Sequence, residues 1–263
     1  MLPQEEGSTS AGQDTVRAVR AATSSDPSVI GVGGGGAGDI DFNHAVYGSF
    51  PLMLALITLL TFILLTRAFR SLLLAAKAVV LNLVSLAAAY GVLTLVWQQG
   101  HGSSALWGIP ATTTITIWVP LMVFAFLYGL SMDYEVFILA RIREAYDATG
   151  STDVAIVEGL GRTGRLVTSA ALILVLAFLS LSTAPGVDLK ILATGLGAGI
   201  LVDATIIRAL LVPALVSLFG AYNWWLPVWV ARLLRVTPSP LHQARGSSDE
   251  PLRHIPIPDP TAP

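Results

Sequence analysis

The sequence predicts an all-α polytopic membrane protein with five transmembrane helices and a short extracytoplasmic α/β segment, from three observations. Of its 263 residues 54% are hydrophobic and only 12% are charged, against roughly 25% charged residues in ordinary soluble domains. Five apolar runs are each long enough to cross a hydrocarbon core of ~30 Å, which takes about 20 helical residues. Backbone polar groups in lipid must be satisfied within the segment, so these runs are expected to be helices.

The composition also argues against several kinds of site. The chain has no cysteine and four scattered histidines, which leaves no disulfide framework, no thiolate metal site and no histidine cluster for zinc. No metal and no cofactor is therefore expected. Basic residues form no stripe of the kind that binds nucleic acid, so no nucleic-acid partner is expected either.

Residues 1–48 are predicted to be soluble and to lie outside the membrane. The opening MLPQEEGSTSAGQ is acidic and lacks the basic and apolar regions of a signal peptide. We expect a helix over residues 15–23 and an extended stretch over 28–32. The glycines of IGVGGGGAGD formally match GxGxxG, but no βαβ unit follows them, so they are interpreted as a turn.

Residues 49–235 are predicted to form the transmembrane domain. Its apolar runs are 50–66, 72–96, 117–140, 166–183 and 189–219. The pair Trp224 and Trp225 is interpreted as an interfacial aromatic anchor. Residues 151–165 alternate apolar and charged side chains, a pattern that favours a helix lying along the inner interface. The proline-rich residues 236–263 are predicted to be a disordered cytoplasmic tail.

The positions of lysine and arginine predict the orientation, because cytoplasmic loops carry an excess of these residues. With the N-terminus outside and the C-terminus inside, the outer side holds only Arg17, Arg20 and Lys190, and the loop 98–116 has no lysine or arginine. The inner side then holds Arg67, Arg70, Lys77, Arg141, Arg143, Arg162, Arg165, Arg208, Arg232, Arg235, Arg245 and Arg253. We therefore predict a multi-pass protein of a bacterial inner membrane.

Asp133, in GLSMDYEVF, is the strongest candidate for chemistry. A central aspartate costs about 2.5 to 3.5 kcal/mol to insert, so such residues usually face a bundle interior and serve proton or ion pathways. A carboxyl group can avoid that cost by binding a proton. Tyr134 lies ~100° away on the helix, so each residue needs a partner on another helix. Alternatively, Asp133 and Glu135 are inner-interface charges near Arg141 and Arg143, which is the preferred interpretation for Glu135.

Asp203 is the second polar intramembrane candidate. Gly195, Gly199 and Asp203 recur every four residues and share a face, and small residues at this spacing allow close helix approach. The preferred interpretation is structural, with Asp203 bonded to polar groups of a neighbouring helix, for instance Thr168 or Ser169, and without a role in transport. Arg208 is expected to extend to the inner interface.

Three separated motifs resemble the C-terminal half of the MMPL family, within the resistance-nodulation-division superfamily. They are GLSMDYEVFILARIREAY (129–146), GRTGRLVTSAALILV (161–175), and VDATIIRALLVPAL followed by FGAYNWWLPVW (202–229); GGGGAGDIDF (33–42) also fits. The resemblance implies spans 8 to 12 of a twelve-span, proton-driven exporter of lipids or other hydrophobic compounds. It also implies that residues 1–48 are the end of an extracytoplasmic porter domain.

The resemblance further implies that Asp133 and Tyr134 form half of a proton relay whose other Asp-Tyr pair lies on the fourth span. That pair and the first seven spans are absent from this sequence. The expected partners are therefore protons, membrane lipids, a hydrophobic substrate and an N-terminal half or sister chain. The alternative is a truncated remnant or non-transporting subunit. An enzyme is not expected, because Asp133 and Asp203 lack the glycine context of an intramembrane aspartyl protease.

Overall fold

The computed structural model describes residues 10–112 and 114–237, which are helical along most of their length and contain no strand. The α-helices are α1 (Ser10–Thr23), α2 (Gly35–Phe42), α3 (Phe50–Phe69), α4 (Leu72–Leu93), α5 (Ser103–Trp107), α6 (Trp118–Thr149), α7 (Thr152–Leu181), α8 (Val187–Val202), α9 (Val212–Phe219) and α10 (Val228–Leu233). Three π-helical segments, Asn43–Tyr47, Thr94–Gln98 and Asp203–Leu211, extend or join them, and a 3-10 turn, Gly220–Trp224, follows α9.

Five membrane-capable helices are present among the described residues, which confirms the predicted number. Their bounds are Gly35–Phe69, Leu72–Gln98, Trp118–Thr149, Thr152–Leu181 and Val187–Trp224. Each is longer than its apolar run. The apolar runs contain only the hydrophobic residues, whereas the helices also include polar residues that flank these runs.

The N-terminal segment differs from the prediction of an α/β unit. The helix predicted over 15–23 is part of α1, but residues 29–33 have no regular structure and follow a turn in which the Val29 N–H donates to the Asp26 carbonyl. No strand in the described chain lies beside them, so an extended conformation there gains no ladder of hydrogen bonds. Gly34, with φ 121°, precedes α2, and this left-handed conformation favours glycine.

The segment 151–165 is not a separate interfacial helix. It is the first half of α7, which runs without a break from Thr152 to Leu181. Its buried side packs on α6, and a Cβ added to Gly159 would lie 2.9 Å from the Ile142 Cα. The amphipathic pattern therefore reflects packing of α7 on α6 and not a helix lying along a lipid surface.

The core lies where α8 crosses α4 and α6. Gly195 packs against Leu93, and a Cβ on Gly199 would lie 2.7 Å from Leu127 Cδ2 and 3.0 Å from Ala89 Cβ. The small residues thus permit the close helix approach that their spacing predicts.

The two tryptophans of the predicted anchor have different environments. Trp225 is exposed, but Trp224 is buried, stacks on Tyr146 at 3.8 Å and donates from Nε1 to Thr152 Oγ1 at 2.9 Å. Trp224 therefore ties the C-terminal segment to α6 and α7. Of the predicted disordered tail, 236–263, all but Val236 and Thr237 lies outside the described residues.

Candidate functional site

The candidate site lies at the middle of α6, where consecutive residues point to different sides of the helix. Ser131 and Glu135 are buried, Tyr134 is half-buried and Asp133 is exposed. Around a helix axis, the side chains of adjacent residues point ~100° apart, whereas those of residues four apart share a face. The DYE sequence is thus split: Glu135 lies inside the five-helix bundle and Asp133 lies on its outside.

Asp133 makes no hydrogen bond or ion pair with any residue in the described part of the chain. It lies halfway along the 32-residue helix α6 and inside the apolar run 117–140, where a charged group is costly in a bilayer. This exposed position distinguishes Asp133 from Asp203, the acidic residue in the middle of the last span.

Asp203 is buried, at 6% exposure, in an ion pair with Arg208, which is 3% exposed. Arg208 donates from Nε to Asp203 Oδ2 at 2.7 Å, and its Nη2 lies 2.6 Å from the same oxygen. The Ser131 hydroxyl donates to Asp203 Oδ1 at 2.9 Å. The Ser131 carbonyl in turn accepts from Arg208 Nη2. The cluster joins α6 to the last span through charge-assisted hydrogen bonds, the stronger class of such bonds.

A π-helical segment makes this pairing possible. Residues five apart in an α-helix lie about 140° apart, given 3.6 residues per turn, so Asp203 and Arg208 would face different sides. The nine residues Asp203–Leu211 form a π-helix, whose wider turn closes i→i+5 hydrogen bonds. Pro213 lies two residues after its end, and proline cannot donate the helical hydrogen bond at its own position.

Two predictions for this region are wrong. Arg208 does not extend to the interface, because Asp203 and Ser131 hold it inside the bundle. Thr168 and Ser169 are not partners of Asp203, because both are exposed on α7, which turns Val167 and Ala171 inward instead. The five-residue spacing of Asp203 and Arg208 ahead of a proline was the signal available in the sequence.

Tyr134 and Glu135 connect the two parts of the site. The Arg208 guanidinium lies 5.3 Å from the centre of the Tyr134 ring, within the range of a cation–π contact. Glu135, 4% exposed, interacts electrostatically with both Arg208 and Asp203. A cavity of about 10 Å³ lies between Ser131, Tyr134, Asp203 and Arg208. The sequence predicts Glu135 at the inner interface, whereas in the structure its side of α6 faces the other helices and buries it near the ion pair.

The two aspartates do not form a paired-carboxylate site. Asp203 is engaged with Arg208 and Ser131, while Asp133 is exposed on the outside of α6. An aspartyl protease requires two carboxylates that share one proton. Asp133 and Asp203 therefore do not form such a pair.

Comparison with known proteins identifies the family. The model of the MMPL family matches residues 3–241. The chain belongs to the MMPL family. Its relatives include the heme uptake protein MmpL11 of Mycobacterium tuberculosis, 41% identical over 205 residues, which are 78% of this chain and 21% of the relative.

Two further MMPL relatives carry names that refer to lipids. The mycolic acid-containing lipids exporter MmpL11 of Mycolicibacterium smegmatis is 38% identical over 221 residues, 84% of this chain and 23% of the relative. The trehalose monomycolate exporter MmpL3 of Mycobacterium tuberculosis is 37% identical over 215 residues, 82% of this chain and 23% of the relative. The chain thus spans about a fifth of the length of the curated relatives it matches, and it is a multi-pass membrane protein of a lipid-transport family.

Proposed function

We propose that this chain is the C-terminal membrane half of a proton-motive-force-driven exporter of lipids or other hydrophobic compounds. In this assignment its five helices correspond to spans 8 to 12, and residues 1–48 are the end of an extracytoplasmic porter domain. Residues 49–235 are the membrane domain and 236–263 are a cytoplasmic tail. The protein lies in a bacterial inner membrane, with its N-terminus on the outer side and its C-terminus in the cytoplasm.

The observation that carries the proposal is the exposed, unpartnered carboxyl group of Asp133 at the middle of α6. In lipid this group needs a polar partner from outside the described bundle, because ionisable side chains at that depth face protein or water. A complementary half that packs on this face of α6 supplies the partner. Asp133 then binds and releases the proton, and Tyr134, the second residue of the relay, lies against the Arg208 guanidinium.

The ion pair beneath Asp133 supports the same role. Tyr134 lies over the Arg208 guanidinium, so its position is coupled to a cluster that joins α6 to the last span. A change of charge at Asp133 acts on Tyr134 and through it on the contact between the two helices. This is how proton binding at α6 would move the bundle.

The substrate class follows from what the names of the relatives have in common. Mycolic acid-containing lipids, trehalose monomycolate and heme, named for relatives at 37 to 41% identity, are all compounds with a large apolar part. We assign to this chain an amphiphilic substrate of that kind, taken up from the membrane.

The proposal is tested with Asp133→Asn in the transporter assembled from this chain and a complementary N-terminal half. Asn keeps the shape but cannot release a proton, so export driven by a proton gradient should fall to background, and Tyr134→Phe should weaken it less. Asp153→Asn, on the exposed first turn of α7, is the control and should export normally. Normal export by Asp133→Asn would refute the relay.

A second experiment tests the partner. The chain should co-purify with a complementary half carrying the first seven spans, and Asp133→Leu should weaken that association. Stable folding of the chain alone, without association, would favour the remnant or non-transporting subunit.

Orientation is tested by cysteine labelling in this cysteine-free background. Ser104 and Thr149 are exposed at opposite ends of the bundle, whereas Ser103 is buried. An impermeant thiol reagent added from outside should label Ser104→Cys and leave Thr149→Cys unlabelled. The reverse pattern would contradict the N-outside orientation.

A further inference from the structure

A run of buried polar atoms without partners follows the contact between α4 and α6. Asn82 Oδ1, Ser85 Oγ, Tyr128 Oη and Arg208 Nη1 are buried and have no hydrogen-bond partner among the described residues. Burial of a polar atom without a partner costs free energy, and native proteins usually supply a protein group or an ordered water. Several such atoms along one contact therefore indicate a shared ligand.

These atoms are connected by direct contacts or by single helical turns. Ser85 lies three residues after Asn82 on the same face of α4, and Asn82 Nδ2 donates to the Tyr128 carbonyl at 3.3 Å. Ser131 lies one turn after Tyr128 on α6 and donates to Asp203 at 2.9 Å. The polar track, defined as Ser85, Asn82, Tyr128 and Ser131, thus leads from the ion pair toward the end of the bundle where α4 ends and α6 begins.

The surroundings of the track suit water and no larger ligand. Its neighbours Leu86, Leu127 and Ala89 belong to a tightly packed apolar cluster. The cavity at the ion-pair end, about 10 Å³, matches the space of roughly one water, and a buried water typically makes 2–4 hydrogen bonds. The hydroxyl, amide and guanidinium groups of the track offer both donors and acceptors.

We propose that the polar track binds ordered water molecules that extend the hydrogen bonds of the Asp203–Arg208 pair along the contact between α4 and α6. This proposal deepens the proposed function, because hydrogen-bonded water lets a proton move along this contact to and from the pair. The water sites nevertheless belong to the folded chain itself, so their test does not depend on export.

Hydroxyl-radical labelling tests the track, because radicals generated from water modify a buried side chain only where water is bound nearby. The chain is reconstituted in lipid nanodiscs, and modification of Tyr128 is compared with that of Phe124, which is buried one turn away on α6. After correction for the reactivity of the two rings, Tyr128 should be modified several-fold faster. Asn82→Leu should bring Tyr128 to the level of Phe124 and leave Trp224 unchanged.

Equal modification of Tyr128 and Phe124 in the unaltered chain would overturn the proposal. Ser85→Ala supplies a second readout. If the track is dry, loss of an unpartnered hydroxyl raises the Tm, which would also overturn the proposal; if water is bound, the Tm falls because the water loses a partner. Ser169→Ala, on the exposed side of α7, should leave the Tm unchanged. Failure of Asp133→Asn to abolish export would leave all these results intact.

Discussion

Asp133 and Asp203 are the same residue type at the centres of two apolar helices, yet their surroundings are opposite. Asp203 is buried, paired with Arg208 and bonded to Ser131, whereas Asp133 is exposed and has no partner within the described residues. A paired carboxylate holds helices together, and an unpaired one at that depth requires a further polar partner. The partners, and not the residue type, separate a structural carboxylate from one available to exchange a proton.

Removal of the Arg208 cation from the buried pair should lower the stability of the folded chain more than any other change considered. Arg208→Met leaves Asp203 buried without its counter-charge, and loss of one partner of a buried pair costs about 3 to 5 kcal/mol. Thermal unfolding in detergent measures this loss. The double variant Asp203→Leu with Arg208→Met should recover part of it, and no recovery would mean that the pair is not the source of the effect.

Asp203→Asn should destabilise the chain less than Arg208→Met. It removes charge-assisted hydrogen bonds worth about 1.5 to 3 kcal/mol, but the Asn oxygen can still accept from Arg208, and Glu135 interacts electrostatically with Arg208. The comparison uses the same unfolding assay. A loss as large as that of Arg208→Met would show that Glu135 does not act as a counter-charge.

Gly159→Ala tests the close packing of α7 on α6. The added Cβ would lie 2.5 Å from Ile142 Cγ1 and 2.9 Å from its Cα, and such overpacking costs about 1 to 3 kcal/mol. Gly161 has open space at its Cβ position, so Gly161→Ala should instead stabilise the helix by up to about 1 kcal/mol. Equal shifts in Tm for the two variants would contradict the packing.

Asp133→Asn should have the smallest effect on stability and sharpens the comparison most. At an exposed position without partners the change should stay within about 0.5 kcal/mol, while the same replacement at Asp203 is costly. The Tm of the isolated chain measures it. A marked fall in Tm would show that Asp133 already has a structural partner in this chain.

The membrane helices were predictable because hydrophobic length is a property of consecutive residues. The helix α4 begins at Leu72, as the apolar run predicts, and all but the first residue of the third run lies within α6. The extent of α7 was not predictable in the same way. The segment 151–165 has the same amphipathic pattern whether its apolar side meets lipid or the surface of α6, and only the packing at Gly159 distinguishes the two.

The candidate site was predictable only in part for a related reason. Asp133 and Asp203 stand out because carboxylates are rare in apolar runs, but the location of Arg208 depends on a change of helix type. Neither hydropathy nor a regular 3.6-residue period encodes that change, so Arg208 was assigned to the interface. Glu135 was misassigned because its burial depends on which side of α6 the other helices cover.

The π-helical segment also sets the rotational phase between α8 and α9. Inward positions follow every fourth residue through Gly199, Asp203 and Ile207, then shift by one residue to Arg208, and resume the four-residue step at Val212 and Val216. The segment thus acts as a one-residue offset that keeps both halves of the last span facing the core. Deletion of a single residue between Asp203 and Arg208 would restore the four-residue step and leave the buried valines of α9 facing the core. A deletion between Gly199 and Asp203, where the helix is regular, would instead rotate everything after it by ~100° and turn those valines toward lipid, even though the length and hydropathy of the span would hardly change.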